Sequence, residues 1–200
     1  SIFLTDGINT HCFLKEEYFT RIKGDKSFPK RSLEFLIEKY SLNEENIKSV
    51  CFYEKPFKSW WEIFIYSIKK PLENKKLLTH HLKNFNTGSI FFYTHLNKII
   101  KISKDKILYS SHHLSHCLYG SLYVENVHDY AFVSCDGVGE GETMTIYTID
   151  TENLIKKHWT NFYPNSIGLF YSTITDFLGF DINEGEFKVM SLSSYGNPIY

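Results

Sequence analysis

The stretch YAFVSCDGVGEGETMTIYTID, residues 130–150, constrains the fold of this chain more than any other. YAFVSCDG is rich in apolar and aromatic residues and reads as a strand. Gly137, Gly139 and Gly141 then break it into a glycine-rich turn, DGVGEGE. TMTIYTID and LIKKHWTNFY follow as two further strands, so residues 130–162 predict consecutive antiparallel strands.

The surrounding sequence mixes helix and strand signals. SIFLTDGINTHCFLKEE, residues 1–17, places an Asp-Gly turn between two apolar runs, a hairpin signal. A helix is expected from Pro29 to about Tyr40, with Leu33, Leu36, Ile37 and Tyr40 at core-facing spacing. SVCFYE, residues 49–54, predicts a short buried strand, and KILYSS, residues 106–111, a second strand. Residues 55–106 carry lysines and aromatics with helical periodicity, and His80 and His81 there read as solvated helix surface. Residues 112–125 predict a helix burying Leu114, Cys117, Leu118 and Leu122. SIGLFYSTITDFLGF predicts a helix with Ser166 near its N-cap, and EGEFKVMSLSSYGNP a segment that is mostly loop. The sum is an α/β chain with a mixed sheet.

Lys and Arg total 22 against 23 Asp and Glu, a net charge of −1, which argues against a nucleic-acid grip built on bulk electrostatics. Arg21 and Arg31 are the two arginines, so a phosphate contact further along needs lysine, backbone N–H groups or a metal. Cys12, Cys51, Cys117 and Cys135 are irregularly spaced, without a CxxC pair, and fit reduced cytosolic thiols. No apolar run has the length of a membrane span and no signal peptide opens the chain, so a cytoplasmic location is expected. The start at Ser1 in an apolar run and the end at Tyr200 after GNP lead one to expect cuts inside a longer protein.

Four segments can carry chemistry. In SSHHLSHCLYG, His112 and His116 stand one helical turn apart, so their rings can ligate one cation, while His113 points elsewhere. The alternative is a histidine-rich helix start with nothing bound. Position 113 holds no glutamate, so the HExxH pattern of a metalloprotease is absent. In CDGVGEGE, a strand delivers Asp136 to a turn whose backbone N–H groups can approach a phosphate. An ordinary hairpin loop explains the same pattern. In GEFKVM, residues 185–190, Glu186 and Lys188 share one face if the stretch is extended. They could pair, meet a ligand phosphate, or simply edge a solvated strand. EEYFTRIKGDKSFP, residues 16–29, gathers Arg21, Lys23, Lys26 and Lys30 about a glycine as an anion-binding or merely solvated loop.

Taken in order, EEYFTRIKGDKSFP, SHHLSH, VSCDGVGEGET and SIGLFYSTITDFLGFDINEGEFKVMSLSSYG closely resemble the O-carbamoyltransferase family of nodulation and antibiotic-tailoring enzymes. The resemblance implies a domain of the actin/Hsp70/sugar-kinase (RNase H-like) superfamily, present as an incomplete fragment. It is similar to the metal-binding subunit that makes threonylcarbamoyl-adenosine in tRNA. It also implies a separate C-terminal domain, beyond Tyr200, that makes carbamoyl-adenylate from carbamoyl phosphate and ATP. The carbamoyl group then passes to the hydroxyl of a small-molecule acceptor, a sugar or natural product. By this resemblance His112, His116 and Asp136 hold a divalent metal, Fe(II). Lys23 stabilises carbamoyl or phosphate oxygens as a catalytic residue. Gly137, Gly139, Glu140, Gly141, Glu186 and Lys188 contact the nucleotide.

The family's catalytic histidine falls before Ser1, and a further acidic metal ligand after Tyr200. SLSSYG at residues 191–196 departs from the family's GLAPYG. No membrane partner is implied, nucleic acid is disfavoured, and a homodimer is compatible. A tRNA threonylcarbamoyl transferase and a catalytically inactive module of the same fold are the rival readings.

Overall fold

A computed structural model describes residues 1–25, 27–69, 79 and 89–197. His80, His81 and Lys26 lie outside the described residues. The chain falls into two compact units, one drawn from Ser1–Phe52 and Lys75–Tyr109, the other from Tyr53–Asn74 and Ser110–Tyr200.

In the first unit, β1 (Ile2–Thr5) and β2 (Thr10–Leu14) form the expected antiparallel hairpin. Asp6 makes the turn, its Oδ1 accepting the N–H groups of Ile8 and Asn9 at 2.9 and 2.7 Å. A short helix α1 (Glu17–Thr20) leads to α2 (Lys30–Tyr40), which starts after Pro29. The buried Glu16 carboxylate caps α2 by accepting the N–H groups of Arg31 and Ser32, each at 2.9 Å. β3 (Val50–Phe52) and β4 (Ile107–Tyr109) pair in parallel. Leu33 of α2 joins Leu96, Ile100, Ile102 and Ile107 in the core, with Leu96 supplied by α4 (Phe92–Ile99). β3 is less buried than its apolar sequence implies: Cys51 is exposed and its neighbours half-buried, because β3 pairs only with β4 among the described strands.

The second unit contains α3 (Pro56–Lys69), α5 (His112–Ser121) and the strands β5 (Ala131–Gly139), β6 (Glu142–Ile149) and β7 (Ile155–Phe162). The three strands form the antiparallel meander expected for residues 130–162. Its central strand buries Thr143, Thr145, Tyr147 and Ile149. α6 (Ile167–Phe177) begins at Ser166, whose Oγ accepts the Leu169 N–H at 3.0 Å.

Three expectations are corrected. The strands form three small sheets among the described residues, not one mixed sheet. The tight turns of residues 130–162 pair each strand with its sequence neighbour, whereas β3 and β4, three residues each, meet across a helical connection. The α/β class itself holds. Second, α5 buries His113 and Cys117, while Leu118 and Leu122 are exposed. The helix ends at Ser121, so Leu122 no longer belongs to its core-facing stripe. Third, Glu186 to Leu192 is a helix, α7, rather than loop or strand. Four alternating residues, EFKV, are too few to separate period two from period 3.6. Glu186 and Lys188 therefore do not share a face.

Among the described residues no helix is long and apolar enough to cross a membrane.

Candidate metal centre

The site is assembled within the second unit by α5 and the end of β5. The pairing of β5 with β6 slips between Cys135 and Gly139, so Asp136, Gly137 and Val138 stand opposite Thr143 alone. Such a bulge re-aims a side chain that regular pleating would direct elsewhere. Here it turns Asp136 toward α5. The Asp136 and Gly137 carbonyls lie 3.0 and 2.7 Å from Ser166 Oγ, which donates to them at the start of α6. Gly168, in the first turn of α6, sits so close that a Cβ there would be 2.7 Å from the Asp136 carbonyl and the Gly137 nitrogen.

The ring nitrogen Nε2 of His112 lies 2.7 Å from Asp136 Oδ2 and 3.1 Å from His116 Nε2. His116 Nε2 is 3.7 Å from the same carboxylate oxygen. The other oxygen, Oδ1, accepts the Gly137 N–H at 2.6 Å. His112 is half-buried and His116 exposed, so the cluster opens to solvent on the His116 side. The hydrogen bond to Asp136 raises the His112 pKa above its ordinary value, outweighing burial. The same bond, helped by the Gly137 N–H, holds the Asp136 carboxyl well below the usual carboxylate range. His113, rotated by one residue from His112, is 1% exposed and bonded through Nδ1 to Thr145 Oγ1 at 3.1 Å. Burial pushes its pKa down.

These three donors fit a divalent cation. Atoms sharing one ion at bonds of ~2.1 Å stand roughly 3 to 3.5 Å apart by simple geometry, close to the separations seen. A proton on His112 Nε2 can be given to Asp136 but not fully to His116 as well, so protonation alone leaves the convergence half satisfied. A cation satisfies all three lone pairs. Two imidazoles and a carboxylate suit Fe, Mn, Zn or Co. In one respect the set departs from common metal sites: His112 Nδ1 is buried without a protein hydrogen-bond partner among the described residues.

The other sequence-predicted residues take different places. Glu140 and Gly141 have φ of 54° and 83°, the pair of left-handed residues of a two-residue hairpin turn joining β5 to β6. Gly139 faces His112 rather than open space, since a Cβ there would stand 2.3 to 2.9 Å from the side chain. Glu140 is 4% exposed and accepts backbone N–H groups from Lys55 at 2.8 Å and His112 at 3.0 Å. Glu186, at the start of α7, accepts from Ser172 Oγ at 2.9 Å and Asn183 N at 3.0 Å. Lys188 is exposed, its ammonium 5.7 Å from the Phe180 ring. Lys23 belongs to the first unit, in the exposed loop between α1 and α2.

Tyr53 was not anticipated. Its ring meets His112 edge-on at 5.8 Å between centroids, and its carbonyl accepts from Ser115 Oγ of α5 at 2.9 Å. No local pattern around Tyr53 signals a contact 59 positions away with residue 112.

The chain belongs to the family described as Carbamoyltransferase N-terminus, which it matches over residues 1–199. It is 29% identical over 195 residues to an uncharacterized protein of Synechocystis sp., covering 94% of this chain and 31% of that protein. It is 31% identical over 185 residues to an uncharacterized protein of Methanocaldococcus jannaschii, 91% of this chain and 28% of the relative. Nodulation protein NolNO of Sinorhizobium fredii is 25% identical over 191 residues, 92% of this chain and 26% of that protein. The chain thus spans less than a third of the length of these relatives.

Proposed function

We propose that this chain is the metal-bearing part of an ATP-dependent O-carbamoyltransferase, moving a carbamoyl group from carbamoyl-adenylate to a hydroxyl of a small-molecule acceptor. The observation that carries this reading is the convergence of His112, His116 and Asp136 in a chain of the carbamoyltransferase family. The parallel β3–β4 pair, joined through helices, and the β5–β7 meander support an N-terminal portion of an actin-like domain. The relatives' greater length leaves room for a second, adenylate-forming domain.

In the proposed reaction the acceptor oxygen attacks the carbamoyl carbon, a C–O bond to the acceptor forms, and the bond from that carbon to the adenylate oxygen breaks. The acceptor proton goes to a base, and AMP leaves. When bound, a divalent cation, Fe(II) by family resemblance, supplies positive charge against the leaving phosphate. His112 and His116 would hold it from one helix face, and Asp136 would neutralise part of its charge. The Asp136–Gly137 bulge, fixed by Ser166, keeps the carboxylate aimed at the two imidazoles. The exposed side of His116 leaves the approach open to a phosphate-bearing ligand.

The test uses full-length protein with carbamoyl phosphate, ATP and candidate sugars. The expected result is carbamoyl-adenylate, then carbamoylated acceptor with AMP release, and loss of the transfer step alone in His112→Ala. Failure to form adenylate or AMP with intact metal overturns the proposal. RNA binding that weakens steeply with salt points instead to a tRNA substrate.

A further inference from the structure

Glu140 is a buried carboxylate on a residue whose backbone is unfavourable for it. Its φ of 54° lies in the left-handed region, where glycine, asparagine and aspartate are at ease and longer side chains are uncommon. Its side chain folds inward from the hairpin tip, and one oxygen, Oε1, takes two backbone donors. The first is Lys55 N, immediately before α3; the second is His112 N, the first residue of α5. The Ser111 side chain makes no cap hydrogen bond, so Glu140 supplies the acceptor that this helix start lacks locally. Its negative charge also suits the positive end of the helix.

Oε2 makes no hydrogen bond and faces the Lys58 ammonium at 3.4 Å. Lys58 is also 3.8 Å from Glu142, itself paired to Lys157 at 2.7 Å. Alternating charges thus balance the two buried carboxylates on either side of Gly141.

The same hairpin tip holds His112 a second time, because the Gly139 Cα packs against its side chain. Backbone N–H and imidazole are therefore both set by consecutive residues, 139 and 140. We infer that Glu140 is a positioning residue for the metal centre: it fixes the start of α5, and thereby the angle at which His112 presents Nε2 beside His116 and Asp136. This rests on the metal reading of those three residues. It also separates Glu140 from the nucleotide contact that family resemblance implies, since its carboxylate is turned into the protein.

Cobalt(II) binding to the full-length protein, read by its visible d–d spectrum and by titration, tests this. Glu140→Gln keeps a carbonyl oxygen in place and is expected to bind within about threefold of wild type with the same spectrum. Glu140→Ala is expected to weaken binding about tenfold or more and to alter the spectrum, as loss of an outer partner of a ligand does. Glu140→Asp is the sharper variant. It relieves the backbone, so the fold is retained, yet it withdraws the carboxylate from His112 N, and the same weakening and spectral change are expected. Wild-type affinity and spectrum in Glu140→Asp would refute the positioning role alone. No cobalt uptake by wild type removes the metal reading, and the positioning role falls with it.

Discussion

The Cα of Gly139 lies against the imidazole of His112, leaving no room for a side chain: a Cβ there would stand 2.3 Å from the ring's Cδ2. Gly139→Ala must push the ring aside or open the hairpin. We expect a stability loss of about 1–3 kcal/mol, typical of overpacking, and metal affinity reduced about tenfold. Thermal unfolding and a metal titration measure the two effects separately. Unchanged affinity in the folded variant would show that the His112 ring is not held by this contact.

Gly168 makes a comparable prediction at the other end of the bulge. Alanine is the better helix former by about 1 kcal/mol, so an unconstrained site would gain stability. Here the added methyl meets backbone atoms of Asp136 and Gly137 at 2.7 Å, which cannot rotate away. Gly168→Ala is expected to destabilise by about 1–3 kcal/mol in chemical denaturation. A gain in stability would mean that α6 does not pack on the bulge as described.

Acidity should govern both the empty and the loaded site. The folded-state pKa of His112 is raised, so its stabilising bond to Asp136 is present below its ordinary 6.5 and is lost as pH rises through the higher folded value. Asp136 is depressed, so its contribution is present above the ordinary 3.8 and is lost as pH falls toward the folded value. Metal-free protein should therefore draw most from this pair between about pH 4 and 6.5. Metal binding runs the other way, because the imidazole must lose its proton. Cobalt affinity is expected to be about tenfold stronger at pH 8 than at pH 6, with a smaller change in His112→Ala, where one imidazole of the set remains to compete with protons.

Much of this architecture is legible in local sequence. The Asp6–Gly7 turn, the Pro29 helix start and the Ser166 cap each act on residues within four positions. The spacing of His112 and His116 likewise needs only helix geometry. Asp136 joins them because a bulge redirects it, and no periodicity in VSCDGVG announces the bulge. Glu140 is harder still. Its partners lie 85 and 28 positions away, so nothing local in a glycine-rich turn announces that its glutamate accepts from the start of a helix. The α7 helix was hidden by four alternating residues, and α5 stops one residue before Leu122, shorter than its apolar pattern suggests.

Metal content of the anaerobically purified full-length protein, compared with that of His116→Ala and Asp136→Ala, tests the central claim most directly. His116 is exposed and Asp136 only half-buried, so the variants should keep their fold by circular dichroism. The account predicts one tightly bound divalent ion per wild-type chain and its loss in both variants. A wild-type protein without metal, or variants that retain as much as wild type, would contradict it.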